Sequence, residues 1–230
     1  MRLTGRCKEI LKLLRVARWL TTSQLHRRFF IPATLDASRK RMKTLVEGGY
    51  AKKVQPNRMG EALFTLGPEG KRLLERQGAT AIMLERTLPR QLEHLLGVND
   101  IRVAAELSFS LTYFFAYWEL PGIKWQHPII PDAVFGVERH SFAVGFDRGM
   151  ENVRFFVRTK LSLYQRGLDG FSVHRVMVVT DRRPRLEALA KAIGGKKTKV
   201  VFTTLDLVRE HGFTAPIFFE SAHGEGLKLL

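Results

Sequence analysis

Residues 32–53 read PATLDASRKRMKTLVEGGYAKK, and this stretch decides what the amino-terminal part of the chain becomes. Leu35, Met42, Leu45 and Val46 recur at helical spacing and predict one buried stripe. At about 100° per residue, Arg39, Lys40 and Lys43 fall together on the opposite face. Gly48 and Gly49 stop the helix, because a left-handed cap is open to glycine without steric cost. A short strand, Ala51–Val54, carries Lys52 and Lys53. A helix with an apolar back and a cationic front, followed by a hairpin, suits the grip of a protein on duplex DNA.

Working back from this stretch, residues 6–18 form a first helix, with Ile10, Leu11, Leu13, Leu14 and Ala17 on its apolar side. Thr21-x-x-Gln24 is a capping box, in which two orphan amides are satisfied reciprocally, and it opens a second helix to about Phe29. Ile31-Pro32 ends that helix. Working forward, a second strand covers residues 62–66, and the loop between the strands holds Pro56, Asn57, Arg58 and Gly60, residues that suit a hairpin tip. Three helices and a hairpin give the order of a winged helix-turn-helix, which places the third helix in the major groove and the wing on phosphates. The expected contacts are Arg39, Lys40, Lys43, Lys52, Lys53 and Arg58. If about five to seven such cations displace counterions, log affinity falls with log salt at a slope near −5 to −6.

Charge supports this reading. The chain of 230 residues has a net charge of +16; residues 1–90 hold 20 Lys/Arg against 7 Asp/Glu, and the remainder 18 against 15. The excess is therefore local, as an electrostatic footprint for a polyanion requires. No apolar run approaches the ~20 residues needed to span a bilayer. The segment 1–18 carries cations throughout and lacks a signal-peptide pattern, so the expected location is cytoplasmic. A single cysteine, Cys7, excludes an internal disulfide and a cysteine-rich zinc site.

Three segments are expected: 1–78 as the DNA-binding module, 79–117 as connecting helices, and 118–230 as an α/β domain. Gly67-Pro68 opens a helix to about Gln77, and residues 81–96 and 98–115 read as two further helices broken near Gly97, the second apolar nearly all round. His94, Asn99, Asp100 and Arg102 read as ordinary capping and solvent-facing polarity. Beyond Trp118 the pattern predicts strands 133–137 and 141–147, a helix 151–165, strand 175–180, helix 183–193, strand 199–203, a short helix 205–210 and strand 216–219. Two hairpin strands followed by alternating elements give an α/β domain with a mixed central sheet. Asp132 and Asp147 flank the hairpin, so they are the candidate ligands of a hard divalent cation, with Lys160 on the helix that follows.

The succession of residues 21–66, HLLGVNDIRV at 94–103, PDAVF at 131–135, FAVGFDRG at 142–149, KLSLY at 160–164 and VVFTTLDLV at 200–208 resembles the replication–relaxation family of plasmids and other mobile elements. The resemblance implies a winged helix joined to a domain similar to PD-(D/E)XK nucleases. By that match Asp132 takes the position of the first metal-binding acid and Asp147 that of the acid closing the second strand, while Lys160 and Tyr164 match the helix motif. Family members commonly carry Glu two residues before the second Asp, where this chain has Gly145, and the usual lysine of the nuclease strand is absent. The preferred expectation is thus a DNA-binding protein without a cofactor, acting in replication, relaxation or transcription. It forms a homodimer, docks a replication or relaxation protein, and touches no membrane. The alternative is a Mg²⁺- or Mn²⁺-dependent nicking endonuclease using Asp132, Asp147 and Lys160.

Overall fold

The computed structural model describes residues 3–56, 60–80, 82–127, 129–167, 173–193, 200–220 and 224–230. It divides into two compact units, Met1–Asn99 and Asp100–Leu230.

In the first unit, α1 (Gly5–Ala17) is capped by Thr4, whose hydroxyl accepts from the Cys7 amide, and it buries Ile10, Leu11, Leu13, Leu14 and Ala17. A two-residue strand, β1 (Leu20–Thr21), follows; nothing in so short a stretch signals it in the sequence. The capping box of Thr21 and Gln24 is formed and opens α2 (Thr22–Phe29). Helix α3 (Leu35–Glu47) starts at Thr34 and buries Ser38, Met42 and Leu45, with Leu35 and Val46 only half-buried. Gly49 takes φ 71°, the left-handed turn that releases the chain into β2 (Ala51–Val54). With β3 (Leu63–Leu66), these strands form an antiparallel sheet in the order β1-β3-β2. Helix α4 (Pro68–Arg76) then packs closely over the α3–β2 turn: a Cβ at Gly70 would lie 2.3 Å from the Tyr50 carbonyl oxygen.

Residues 79–117 differ from the two helices expected of them. The segment 82–91 is largely irregular, with Pro89 three residues before α5, which runs as Leu92–Ser108 straight through Gly97. Leu111–Ala116 is a strand, β4, instead of the end of a helix. A run that is apolar at successive positions shows no period, so helix and strand cannot be separated there by pattern alone. Three of the four polar residues are buried instead of solvent-facing, Asn99, Asp100 and Arg102 being at most 3 % exposed, while His94 is half-buried. Within the first unit, Asn99 donates to the carbonyls of Ala17 and Trp19, closing the end of α1. In the second, Asp100 accepts from Arg209, and Arg102 pairs with Glu119 beneath the Phe114 ring.

The second unit is a mixed α/β fold around a five-stranded sheet, β4-β5-β6-β7-β8, with β5 (Ala133–Val137), β6 (His140–Asp147), β7 (Val173–Thr180) and β8 (Val200–Thr204). The pairs β4/β5 and β5/β6 are antiparallel; β6/β7 and β7/β8 are parallel. One face carries Val134, Ala143, Val176 and Val178 against Leu161, Tyr164, Leu186 and Leu189. Elsewhere in the unit, stacked rings join Phe114, Phe135, Phe142 and Phe213. Burial on both faces explains strands that read as continuous apolar runs. The helix after β6 is composite: α6 (Val153–Phe155), a π-helical turn over Phe156–Leu161, and α7 (Ser162–Gly167). Helix α8 (Arg183–Ile193) and α9 (Leu205–His211) complete it. Residues 216–219 make only isolated bridges, Phe219 to Phe202 and Phe218 to Leu227, where a strand is expected.

Candidate nucleic-acid interface

Helix α3 turns its apolar residues inward, which leaves Arg39, Lys40 and Lys43 exposed along one side. Between this side and the β2–β3 sheet lies a cleft of about 700 Å³. Leu35, Val46, Ala62 and Phe64 line it apolarly, while Arg39, Lys40, Lys43 and Lys53 supply cations. Lys52 and Lys53 are neighbours on a strand, so their side chains point to opposite faces. Lys53 reaches the cleft; Lys52 instead donates to the Arg86 carbonyl oxygen at 3.3 Å. Arg58 lies outside the described residues.

The acids near the cleft have local partners. Asp36 pairs with Arg39 at 2.9 Å, and Glu47 faces Lys43 at 3.8 Å. Glu61 accepts from the Ser23 amide at the start of α2. The side chains of Arg39 and Lys43 remain 61 % and 77 % exposed, so these pairs are weak and solvent-screened. A phosphate can take the place of either carboxylate at small cost, and the apolar lining suits sugar or thymine methyl groups.

In the second unit, the two aspartates of the hairpin are each engaged by protein. The Asp132 amide donates to Val144 O at 2.8 Å, and its Oδ2 accepts from the Phe146 amide at 2.6 Å. Asp147 is buried at the end of β6; its Oδ1 accepts from the Gly149 amide and its Oδ2 from Arg185 Nε, both at 2.8 Å. Lys160, in the π-helical turn, pairs with Glu151 at 2.8 Å, a different carboxylate from the two expected. A Cβ at Gly145 would stand 3.2 Å from the Tyr164 hydroxyl, so the phenol fills the space an acid at 145 would need. Burial, and then the charge of Asp132, push the Tyr164 phenol well above its ordinary value, against a partly compensating backbone hydrogen bond at Asp132. Tyr164 is therefore a neutral phenol, donating toward Val144 O. Among the described residues no group of three or more His, Cys, Asp or Glu could hold a metal ion. With a guanidinium on Asp147 and no carboxylate at 145, these residues do not fit a divalent cation.

Arg185 is the residue that sequence reading missed. It stands in the first turn of α8, 38 positions from Asp147, and only the tertiary pairing of β6 with β7 brings them together. The cationic run Arg182–Arg183–Pro184–Arg185 is the one local hint. A family model described as Replication-relaxation matches residues 11–172, more than two thirds of the chain. No curated protein and no solved structure gives a match.

Proposed function

The chain belongs to the replication-relaxation family, as its ordered motifs predict, and from that premise we propose that it is a duplex-DNA-binding protein of a plasmid or other mobile element. It serves replication, relaxation or transfer, or the control of transcription. The observation that carries this reading is the convergence of Arg39, Lys40, Lys43 and Lys53 on one cleft, in the part of the chain that holds most of the excess charge. The order α1-β1-α2-α3-β2-β3 supports reading the first unit as a winged helix, with α3 presented to the major groove. The hairpin β5–β6, a helix and the parallel strand β7 support reading the second unit as a PD-(D/E)XK-like body. Its catalytic acids have been turned to structural use, and it serves dimerisation or partner docking. A two-fold dimer lets two copies of α3 read a palindrome. No helix among the described residues is long and apolar enough to cross a membrane.

Capture of duplexes from a random pool tests binding and returns half-site spacing in one experiment. Failure to enrich any duplex at low salt refutes the reading. The endonuclease alternative makes a separate prediction: supercoiled plasmid is nicked with Mg²⁺ or Mn²⁺, and the nicking disappears in Asp132→Ala. That result would overturn the non-enzymatic role of the second unit.

A further inference from the structure

A second cleft, of about 530 Å³, lies within the second unit and has a different chemistry. Its size is that of a small-ligand site. Tyr113 and Phe115 lie two residues apart on the edge strand β4 and face the same way, with ring centroids 5.7 Å apart and planes 21° from parallel. Trp125 and His127 form another wall, centroids 4.7 Å apart. The rings are held: Tyr113 Oη donates to Ser141 Oγ at 2.7 Å, and Trp125 Nε1 donates to Ile129 O at 2.8 Å. Fixing the rings before a ligand arrives removes part of the ordering cost of binding. Lys124 is exposed at the cleft, and no carboxylate is among the described residues that line it.

Two classes of flat ligand suit aromatic walls. Organic cations require an electron-rich cage without a competing ammonium, usually with a carboxylate nearby. Here the charge at the wall has the opposite sign, which selects a ligand that is planar and anionic. We propose that this cleft takes an unpaired nucleotide of a DNA strand, its base against Tyr113, Phe115 and Trp125 and its phosphate beside Lys124. The proposal shares with the reading of α3 the premise that the ligand is nucleic acid. It adds a site for separated strands to a site for the duplex, as replication and relaxation both require.

The test uses the full chain carrying Arg39→Glu, Lys40→Glu and Lys43→Glu, so that the α3 face no longer holds a strand. A labelled oligothymidylate and an abasic oligomer of equal length are titrated by fluorescence anisotropy. The thymidylate binds more tightly than the abasic strand; Trp125→Ala weakens it about ten-fold or more, as the loss of one stacked base does. Trp125→Phe restores most of that affinity, and Lys124→Glu weakens both oligomers. Equal affinity for the two oligomers, or unchanged thymidylate affinity in Lys124→Glu, overturns the proposal. Lys124 is exposed, so that variant keeps the test valid if Trp125→Ala fails to fold. In the unaltered chain, single-strand binding without duplex binding would sink the α3 reading and support this one; the reverse result would sink this one alone.

Discussion

Replacing Arg39, Lys40 and Lys43 together by glutamine is the sharpest probe of the α3 face, because its effect can be counted beforehand. Four described cations line the cleft, these three and Lys53. At about 0.9 counterion released per phosphate neutralised, the slope of log affinity on log salt is about −3.6, shallower than the sequence alone suggests. Raising salt from about 50 to about 200 mM then weakens the native chain about 150-fold, but the triple variant, with a slope of about −0.9, only about 3.5-fold. Stability gives the control. The ion pairs lost are exposed ones, worth about 0–1 kcal/mol each, so the melting temperature moves by no more than about 2–4 °C per pair. Asp36→Asn is the converse perturbation: it removes a carboxylate beside Arg39 and raises affinity at low salt. Anisotropy titrations of a captured duplex over a salt series read all three chains. Parallel lines for native and triple variant would refute the assigned surface, whatever their vertical offset.

The remaining predictions concern the second unit. Arg185→Gln strands Asp147 as a buried charge and costs about 3–5 kcal/mol, whereas Arg185→Gln with Asp147→Asn recovers most of it; denaturant melts of the two single variants and the double variant measure the coupling. Gly145→Glu drives a side chain toward the Tyr164 ring and destabilises by about 1–3 kcal/mol, relieved in part by adding Tyr164→Ala, again read by melts. Tyr164 has a folded pKa raised above its unfolded one, so its contribution is intact below about pH 10, the ordinary phenol value, and is lost as pH rises through the folded value. Tyr164→Phe should therefore flatten the alkaline limb of the stability–pH profile relative to the native chain.

What the sequence discloses follows from how local each cause is. The capping box at Thr21, the glycine turn after α3 and the helical spacing of Leu186, Leu189 and Ala190 in α8 each act over a few neighbouring residues, and all are visible in the chain. Four strands of the mixed sheet, β5 to β8, are legible as apolar segments at a hairpin and at crossover spacing. The β4 segment is not: Phe114 and Ala116 are buried while Tyr113 and Phe115 are half-buried, but all four are apolar, so the alternation leaves no trace in the sequence. That Arg39, Lys40 and Lys43 share the exposed side of α3 is legible from the helical period, whereas residue identity alone does not say which of Lys52 and Lys53 turns toward the helix. Asp132 and Asp147 were found as residues, but their partners, the Phe146 amide and Arg185, depend on sheet register and on α8. Charge-bearing side chains declare themselves in a sequence; what neutralises them is a property of the fold.

The guanidinium seated on Asp147 has a consequence for how this protein meets its surroundings. A counter-ion tethered by its own backbone cannot be diluted, exchanged or stripped by a chelator. The charge of Asp147 is therefore balanced by the chain itself, whatever the concentration of divalent cations outside it. The second unit is expected to keep the same shape in EDTA as in millimolar magnesium, and circular dichroism in the two buffers checks it.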